Sequence, residues 1–250
     1  MKIILVGCNG KMGMSISLIA ADENIEIVAG VAKDKVNLFS YPVYTHIDDV
    51  KEQADCIVDF SHYSMLRPVG KYAKKHDLPV LYGATGLNDG DMDFIDSLAK
   101  SVPVLQSTNF SLGVEVLRTL IVKAKELLGD KYDIEIVEKH HNQKKDAPSG
   151  TAYTLLEALK DRGTSECFGR HGTDAKRHEH EIGIHAIRGG GVVGEHEVGF
   201  YGPYDQILIT HRAMDRKVFA LGALQGAKLL TTLPAGRYNI KDIINHMLGE

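Results

Sequence analysis

The stretch from Glu138 to Ala152 concentrates side chains that move protons and bind negative charge. It contains two neighbouring histidines, His140 and His141, and Lys144 follows four residues after the first. Histidine is the usual proton donor near neutral pH. A lysine in the same loop would hold a substrate carboxylate and assist proton delivery. The pattern is typical of a site that binds a dicarboxylate and protonates it.

The elements around this loop indicate how it binds an anion. A predicted strand, Tyr132–His140, precedes the loop, and a predicted helix runs from about Thr151 to Lys160. Ser149 is suited to cap that helix. The backbone N–H groups near Gly150 and Thr151 then point outward, at the positive end of the helix, where anions bind. Because Gly150 lacks a side chain, a carboxylate can approach the backbone there.

Two other interpretations of the stretch are a solvated basic loop without a ligand and a metal site. His140 and His141 point to opposite faces if they lie in a strand, which is poor spacing for metal ligands. His178 and His180 would share one face of a predicted strand and form a better pair. The sequence offers no nearby cysteine or third ligand at helical spacing, so we predict no metal site.

A glycine-rich turn, Gly7–Gly13, lies between a short apolar strand and a helix near the N-terminus. Glycines in that context permit a tight turn, close approach of the backbone to a pyrophosphate, and tight packing of helix on strand. The spacing is GxxGxxG instead of the commoner GxGxxG. A glycine-rich turn without a ligand is the alternative, but position and flanking elements favour a dinucleotide site.

The residues after the second predicted strand bear on the choice of cofactor. Lys33 would meet the 2′-phosphate of NADPH, whereas Asp34 would meet the bare ribose of NADH if the turn brings it inward. Plain solvated surface is the alternative for both, and the better one for Asp34. The sequence leaves NADH and NADPH open and favours use of both.

Two later segments suit the nicotinamide half of such a cofactor. Gly83–Gly86 follows the fourth predicted parallel strand, and Ser107–Phe110 follows the fifth. Open α/β sheets bind ligands at the carboxyl ends of their strands. A glycine lets the ring approach the backbone, and Asn109 would hydrogen-bond a carboxamide. Each segment taken singly could be an ordinary loop.

The order of elements predicts two domains. Alternating strands and helices in the first half favour an open parallel sheet with Rossmann-type crossovers, with strands Ile3–Val6, Ile25–Ala32, Cys56–Val58, Val80–Tyr82 and Val102–Leu105 and helices Lys11–Ala21, Met65–Lys75 and Asp89–Lys100. After a long helix from Ser111, strands with fewer helices between them favour an α+β domain with a mostly antiparallel open sheet, its later strands being His180–Arg188, Gly194–Phe200 and Gln206–Ala213. A last helix, Val218–Leu230, would pack on the first domain. We place the dinucleotide-binding domain at residues 1–110, completed by 214–250, and the second domain at 111–213.

Composition excludes several classes of partner. The chain has 250 residues, a net charge of −4 and no block of basic residues, so neither nucleic acid nor a membrane surface is the expected partner. Its three cysteines form no CxxC pair, and its N-terminal apolar run is too short for a signal peptide. We therefore expect a cytoplasmic protein with a small-molecule substrate.

The loop described first resembles the signature of a known family. His140-His141, Lys144 and Asp146–Ala152 are similar to the signature of 4-hydroxy-tetrahydrodipicolinate reductases, formerly called dihydrodipicolinate reductases. The likeness extends over nearly the whole chain and includes Gly7–Gly13, Gly83–Gly86, Asn109–Ser111, Gly169-Arg170, Ile187–Gly189, Val193–His196 and Ile209–His211. Ala32, where many members carry an acidic residue, and Ala84, where threonine is frequent, depart from the pattern.

The resemblance implies reduction of 4-hydroxy-tetrahydrodipicolinate with NADH or NADPH, in lysine and diaminopimelate biosynthesis, by a homotetramer built from the open sheets of the second domain. It implies that His140 donates the proton with assistance from Lys144. The substrate carboxylates would be bound by His141, Lys144, Gly150 and Thr151. The cofactor would be lined by Gly7, Cys8, Asn9, Gly10, Lys11, Met12, Gly83, Ala84, Thr85, Ser107, Thr108, Asn109 and Phe110.

Three other functions compete with a reductase. A non-catalytic redox sensor would use the glycine-rich turn but would leave the histidine loop unexplained. A metal hydrolase would use histidines but would leave the turn unexplained. A reductase or dehydrogenase of another small carboxylate, such as an amino-acid dehydrogenase, would share the turn, but we see no reason for it to carry this loop.

Overall fold

The computed structural model describes residues 1–36 and 38–248, which fall into two compact units. Unit 1 combines Met1–Leu112 with Arg216–Glu250, and unit 2 is Gly113–Asp215. The chain therefore leaves the first unit, forms the second, and returns to the first.

Unit 1 is built around a parallel sheet of seven strands. Its elements are β1 (Lys2–Val6), α1 (Lys11–Ile19), β2 (Glu26–Val31), β3 (Val43–Tyr44), β4 (Cys56–Asp59), α2 (Leu66–His76), β5 (Val80–Tyr82), α3 (Asp89–Leu98), β6 (Pro103–Gln106), α6 (Lys217–Leu230), β12 (Gly236–Tyr238) and α7 (Ile240–Leu248). The predicted parallel sheet is confirmed.

Apolar residues line both faces of the central strands because helices cover both faces. In β1, Ile3 and Leu5 pack with α1, α6 and α7, while Ile4 and Val6 pack with α2 and α3. Neighbouring strands alternate in the same way. The unit is therefore a three-layer α/β/α sandwich, which explains why its strands are continuous apolar runs in the sequence.

The strand order, β12-β6-β5-β4-β1-β2-β3, reverses direction between β1 and β4. The chain runs outward from β1 through β2 to β3, then returns to the other side of β1 and continues outward from β4. Ligands of open parallel sheets bind at such a switch point, beside the carboxyl ends of the strands.

Unit 2 is an α+β domain with one five-stranded sheet. Its elements are α4 (Leu112–Leu128, which starts at the last residue of unit 1), β7 (Asp133–His140), α5 (Gly150–Leu159), β8 (Ser165–Phe168), β9 (Glu181–Arg188), β10 (Gly194–Tyr201) and β11 (Gln206–Ala213). Both helices pack on the same face of the sheet, where Ile136, Ile184 and Phe200 form the core.

The sheet of unit 2 is mixed, whereas the sequence predicted a mostly antiparallel one. Its order is β11-β10-β7-β9-β8, with β10 antiparallel to both neighbours but β7, β9 and β8 mutually parallel. The parallel pairs arise because α5 carries the chain from β7 back to the start of β8, and residues 169–180 carry it from the end of β8 back to the start of β9. The sequence pattern did not reveal β8, whose four residues are mostly exposed.

Strand β7 separates two kinds of side chain by strict alternation. Ile134, Ile136, Glu138 and His140 face the helices and are buried, whereas the residues between them face the other side of the sheet. Two ionisable residues therefore occupy positions that in the rest of the strand belong to the apolar core.

Several local predictions differ from the structure. Strand β9 begins at Glu181, so His178 and His180 do not share a strand face, and His180 lies in a left-handed turn (φ 55°). The short strands β3 and β12 and the final helix α7 had no distinct sequence signal. Within the described residues, no helix has the length and apolarity needed to cross a membrane.

Candidate active site

The glycine-rich turn of unit 1 depends on the absence of three side chains. Gly7 has φ 80°, and a Cβ there would lie 2.8 Å from the backbone of Phe60. A Cβ at Gly13 would lie 2.3 Å from the carbonyl oxygen of Gly7. Gly10 is the N-cap of α1 and provides no side-chain cap. The first N–H groups of an α-helix have no acceptor within the helix, so this end of α1 suits a phosphate.

The side chains of the turn mostly point away from a phosphate. Cys8 is fully buried in the core, and burial raises the pKa of its thiol. Met12 packs against the same core. The amide of Asn9 donates to the carbonyl oxygens of Asp34 and Val36 at 3.2 and 3.1 Å. Cys8 and Met12 thus offer backbone groups to a ligand, and Asn9 fixes the loop after β2.

A cleft of about 820 Å³ opens beside the turn, at the switch point of the sheet. Lys33 and Asp34 both line it. Sequence reasoning missed Thr45 and His46, which follow the two-residue strand β3, and the short turn that carries His62 and Ser64. The full lining is Val6, Gly7, Asn9, Gly10, Val31, Ala32, Lys33, Asp34, Thr45, His46, Phe60, Ser61, His62, Ser64 and Met65.

Phe60 connects this cleft with the two segments predicted to hold the nicotinamide. A Cβ at Gly83 would lie 2.2 Å from the Phe60 ring, and the ring packs edge-on against Phe110 at 5.4 Å. Gly83 also donates its N–H to the carbonyl oxygen of Asp59 at 2.8 Å. Beyond it, Ala84 is buried and Thr85 is exposed. The two segments meet at one edge of the sheet, next to the cleft but outside its lining.

The segment Ser107–Phe110 is held by its own hydrogen bonds. The Ser107 hydroxyl donates to the Asn109 carbonyl oxygen at 2.6 Å, and the Asn109 side-chain oxygen accepts from the N–H of Ser111 at 2.8 Å. Thr108 is exposed at the tip. Because the amide oxygen of Asn109 is engaged, this residue fixes the turn.

In unit 2, the predicted proton donor is paired with a carboxylate. The Nδ1 atom of His140 lies 2.6 Å from Oε2 of Glu138, two residues earlier on the same face of β7. Glu138 is fully buried, and His140 is 9% exposed. The sequence contained a signal for this pair, since two ionisable residues at a spacing of two fall on the apolar face of a predicted strand.

Both oxygens of the buried Glu138 carboxylate accept hydrogen bonds. Arg188 donates from Nη1 to Oε2 and from Nη2 to Oε1, both at 2.7 Å. The N–H of Ser149 donates to Oε1 at 2.9 Å. Burial alone raises the pKa of Glu138, but the hydrogen bonds from Arg188, His140 and Ser149 outweigh it and hold the pKa below its ordinary value. The group is therefore a carboxylate at neutral pH.

Burial also determines the state of the two histidines. It lowers the pKa of His140, and the adjacent carboxylate of Glu138 opposes that effect. His196 on β10 packs edge-on against His140 with ring centroids 5.2 Å apart. Burial and the charge of His140 lower the pKa of His196 to about 4, so His196 is neutral near pH 7.

Ser149 begins α5 and joins it to the histidines. Its hydroxyl oxygen accepts the N–H of Ala152 at 3.1 Å, as predicted for an N-cap, and lies 2.9 Å from Nε2 of His196. A Cβ at Gly150 would meet no atom within 4 Å, so the entrance to the helix is open. Thr151 follows in the first turn of α5. This is the geometry of an anion site at a helix N-terminus.

Lys144 and His141 complete the loop. The Lys144 ammonium lies 2.9 Å from the carboxylate of Asp146, whose side chain is 59% exposed, and this ion pair lowers the pKa of Asp146. The Lys144 N–H donates to the carbonyl oxygen of His141 at 3.1 Å. Both residues therefore belong to the same turn, directly after His140.

Residues that sequence reasoning did not assign to the site are Glu138, Arg188 and His196. Arg188 is the register partner of His140 across the parallel pair β7–β9, and His196 is the partner of Glu138 across β10. These pairings are set by strand order, which the sequence did not reveal. In the described part of the chain, no three His, Cys, Asp or Glu side chains are grouped to hold a metal ion.

The chain was compared with known proteins. The family models described as dihydrodipicolinate reductase, N-terminus, and dihydrodipicolinate reductase, C-terminus, match residues 1–110 and 113–244. The 4-hydroxy-tetrahydrodipicolinate reductase of Caldanaerobacter subterraneus subsp. tengcongensis is 42% identical over 247 residues, which cover 97% of this chain and 98% of that relative. The enzyme of the same name from Clostridium tetani is 41% identical, covering 98% and 97%.

Solved structures agree with these relatives at the level of the fold. The dipicolinate-bound dihydrodipicolinate reductase from Paenisporosarcina sp. TG-14 superposes with a TM-score of 0.80 at 21% identity, covering 97% of this chain and 98% of that one. A myo-inositol dehydrogenase from Corynebacterium glutamicum superposes with a TM-score of 0.59 at 14% identity, covering 94% and 90%. The same fold therefore also occurs in a protein named as a different dehydrogenase.

Ser149→Ala should lower the free energy of unfolding by about 2 kcal/mol, because it removes the cap of α5 and leaves Nε2 of buried His196 without its hydrogen bond. Urea unfolding measures the loss. Thr154→Ala is the matched control on the same helix, since its exposed hydroxyl donates only to the Gly150 carbonyl oxygen; it should cost less than about 0.5 kcal/mol. Equal losses in the two variants would contradict the role given to Ser149.

Proposed function

The chain belongs to the dihydrodipicolinate reductase family, and we propose how its residues carry out the family's reaction. It is an NAD(P)H-dependent oxidoreductase that reduces 4-hydroxy-tetrahydrodipicolinate to tetrahydrodipicolinate in lysine and diaminopimelate biosynthesis. The observation that carries the assignment of roles is the buried Glu138–His140 pair beside the open N-terminus of α5. This arrangement supports a proton donor and an anion site in the same part of unit 2.

The residues of unit 1 fit a dinucleotide. Gly7 and Gly13 leave room only for backbone, Gly10 leaves the end of α1 uncapped, and the cleft beside them has the volume of a cofactor site. When bound, the reduced nicotinamide supplies the hydride. We propose that residues 7–12 hold the pyrophosphate through backbone N–H groups, and that Gly83, Ala84, Thr85 and Ser107–Phe110 hold the nicotinamide half.

The residues of the histidine loop would bind the two carboxylates of the substrate. The backbone N–H groups of Gly150 and Thr151 at the start of α5 would donate hydrogen bonds to one carboxylate. Lys144 and His141, on the turn before it, would hold the other, with the substrate taking the place of Asp146 against the ammonium. The dicarboxylate in the dipicolinate-bound relative is of the same chemical class.

His140 would supply the proton. In the reaction, water leaves the hydroxylated ring, a hydride is added to one ring carbon, and a proton is added to the neighbouring carbon. Since Nδ1 of His140 faces Glu138, the Nε2–H of the protonated ring is the group available to the substrate. The positive charge of Lys144 would stabilise the negative charge that accumulates on the substrate before the proton arrives.

His140→Ala should lower kcat by about 10²- to 10⁴-fold, because a positioned general acid contributes that much, and should leave the cofactor Kd nearly unchanged. The assay follows oxidation of NADH or NADPH, with the substrate made in situ from aspartate semialdehyde and pyruvate. His178→Ala, an exposed histidine outside the loop, is the control and should keep full activity. Near-normal turnover of His140→Ala would remove His140 from its role. Tight cofactor binding by the wild type without oxidation would favour a redox sensor or another substrate.

Lys33→Ala should weaken NADPH binding about tenfold and NADH binding much less, because only NADPH carries the phosphate that a cation at the end of β2 would bind. Fluorescence titration with each cofactor measures both Kd values. Lys35→Ala is the matched control, as Lys35 is exposed on the same loop but does not line the cleft. Equal weakening of both cofactors in Lys33→Ala would exclude contact with the 2′-phosphate.

We propose that four copies assemble through unit 2. In that unit, both described helices lie on one face of the sheet, and the other face presents Val137, Ile187 and Leu208 among charged residues. Sedimentation should give a mass four times that of one chain, and Leu208→Glu should lower it. A monomeric wild type would overturn the proposal.

We also propose a cytoplasmic location, which free Cys8, Cys56 and Cys167 support and cell fractionation would test.

A further inference from the structure

The carboxylate of Glu138 receives four hydrogen bonds although it is fully buried. Oε2 accepts from His140 and from one nitrogen of Arg188, and Oε1 accepts from the other nitrogen of Arg188 and from the N–H of Ser149. We propose that Glu138, held by Arg188, is a positioning residue that fixes which nitrogen of His140 exchanges the proton and where that nitrogen stands relative to α5. This inference rests on the proposed function.

The tautomer follows from the charge of Glu138. An ionised carboxylate only accepts hydrogen bonds, so Nδ1 of His140 carries the hydrogen in both the neutral and the charged ring. Nε2 is then the atom that gains and loses the proton. A Cβ at Gly194 would lie 3.1 Å from Nε2. The absence of a side chain at Gly194 therefore keeps the neighbourhood of that nitrogen uncrowded.

Arg188 keeps the carboxylate charged and in place. Its two 2.7 Å hydrogen bonds form a bidentate pair, the geometry that best compensates a buried carboxylate. The same side chain donates from Nη2 to the carbonyl oxygen of Asp146 at 2.6 Å. Arg188 thus connects the carboxylate with the loop that carries Lys144.

The bond from Ser149 couples the proton donor to the anion site. Ser149 is the N-cap of α5, so its N–H fixes the start of the helix to the same carboxylate that orients His140. Movement of the ring relative to Gly150 would require breaking one of these buried hydrogen bonds. Glu138 therefore sets the distance between the acid and the bound carboxylate.

The charged and titratable groups around His140 predict the effect of removing this carboxylate. Glu138 raises the pKa of His140, whereas burial and the charges of Lys144 and Arg188 lower it. His196, on the adjacent strand, is neutral at working pH. Loss of the Glu138 charge should therefore lower the pKa of His140 further. Since the protonated ring is the acid, kcat falls as the pH rises through the pKa of His140. In the variant this fall should therefore occur at a lower pH than in the wild type.

Strand β7 provides a matched control on its opposite face. Glu135 receives two hydrogen bonds from Arg170, at 3.0 and 2.8 Å, and one from Nε2 of His185 at 2.8 Å. Arg177 also donates to Glu135. This is the same combination of glutamate, arginine and histidine on the same strand, turned away from His140. Glu135→Gln removes an equivalent charge without touching the proton donor.

The experiment measures kcat and KM against pH for the wild type, Glu138→Gln, Glu138→Asp and Glu135→Gln. Glu138→Gln should lower kcat by about 10²-fold or more, as loss of an orienting carboxylate beside a catalytic histidine does elsewhere, and should move the midpoint of the fall in kcat to lower pH. Glu138→Asp keeps the charge and should bring the midpoint back toward the wild-type value. Glu135→Gln should leave the midpoint unchanged.

Nitrogen chemical shifts of His140 in the wild-type protein give a second readout that needs no substitution. The neutral ring should carry its hydrogen on Nδ1, and the opposite tautomer would overturn the proposal. The proposal would also be overturned if Glu138→Gln kept the wild-type kcat and the wild-type midpoint of the pH profile. It would likewise be overturned if Glu135→Gln moved that midpoint as far as Glu138→Gln does. Failure of the proposed function is distinct, because the wild type itself would then not oxidise the cofactor with this substrate.

Discussion

The structure of unit 2 depends on the cost of burying one negative charge. An uncompensated carboxylate inside a protein costs several kcal/mol, so Glu138 is tolerated only because all of its partners are present. Those partners come from three places: His140 from the same strand, Arg188 from β9, and the backbone of Ser149 from the start of α5. The requirement to satisfy a single group thus fixes two strands and a helix relative to one another. The proposed proton donor and the proposed anion site acquire their geometry from the same requirement.

The proposed phosphate site of unit 1 is built by the opposite means. Its turn has no side chains at Gly7, Gly10 and Gly13, and the side chain of Cys8 belongs to the core. A phosphate needs several N–H donors and room to approach, which backbone supplies at low entropic cost because it is already fixed by β1 and α1. The proposed dicarboxylate site, in contrast, needs a group that changes its protonation, which only side chains provide.

Much of this could be predicted from the sequence because its signals are local. The turn at Gly7, the N-cap at Ser149 and the acid–base loop each lie within a few consecutive residues, and apolar runs revealed the buried strands. Glu138 could also have been found, since it repeats the spacing of two that buries its neighbours. Arg188 could not, because it reaches Glu138 only through the parallel pairing of β7 with β9, a contact across about fifty residues of chain. The mixed sheet was missed for the same reason, and β3 and β8 were too short or too exposed to leave a pattern.

The alternation of strand β7 has a consequence for how such a chain can vary in length. Side chains of a strand change face with every residue, so inserting or deleting one residue between Asp133 and Val137, where no β-bulge absorbs the change, would exchange the two faces beyond that point. Val137 and Lys139 would then enter the core in place of Glu138 and His140, and Arg188 would face no carboxylate. A single change of length would thus remove the ion pairs of Glu138 and place the Lys139 ammonium in the core. We therefore expect length changes to be tolerated better in the loops that flank the strand than within it.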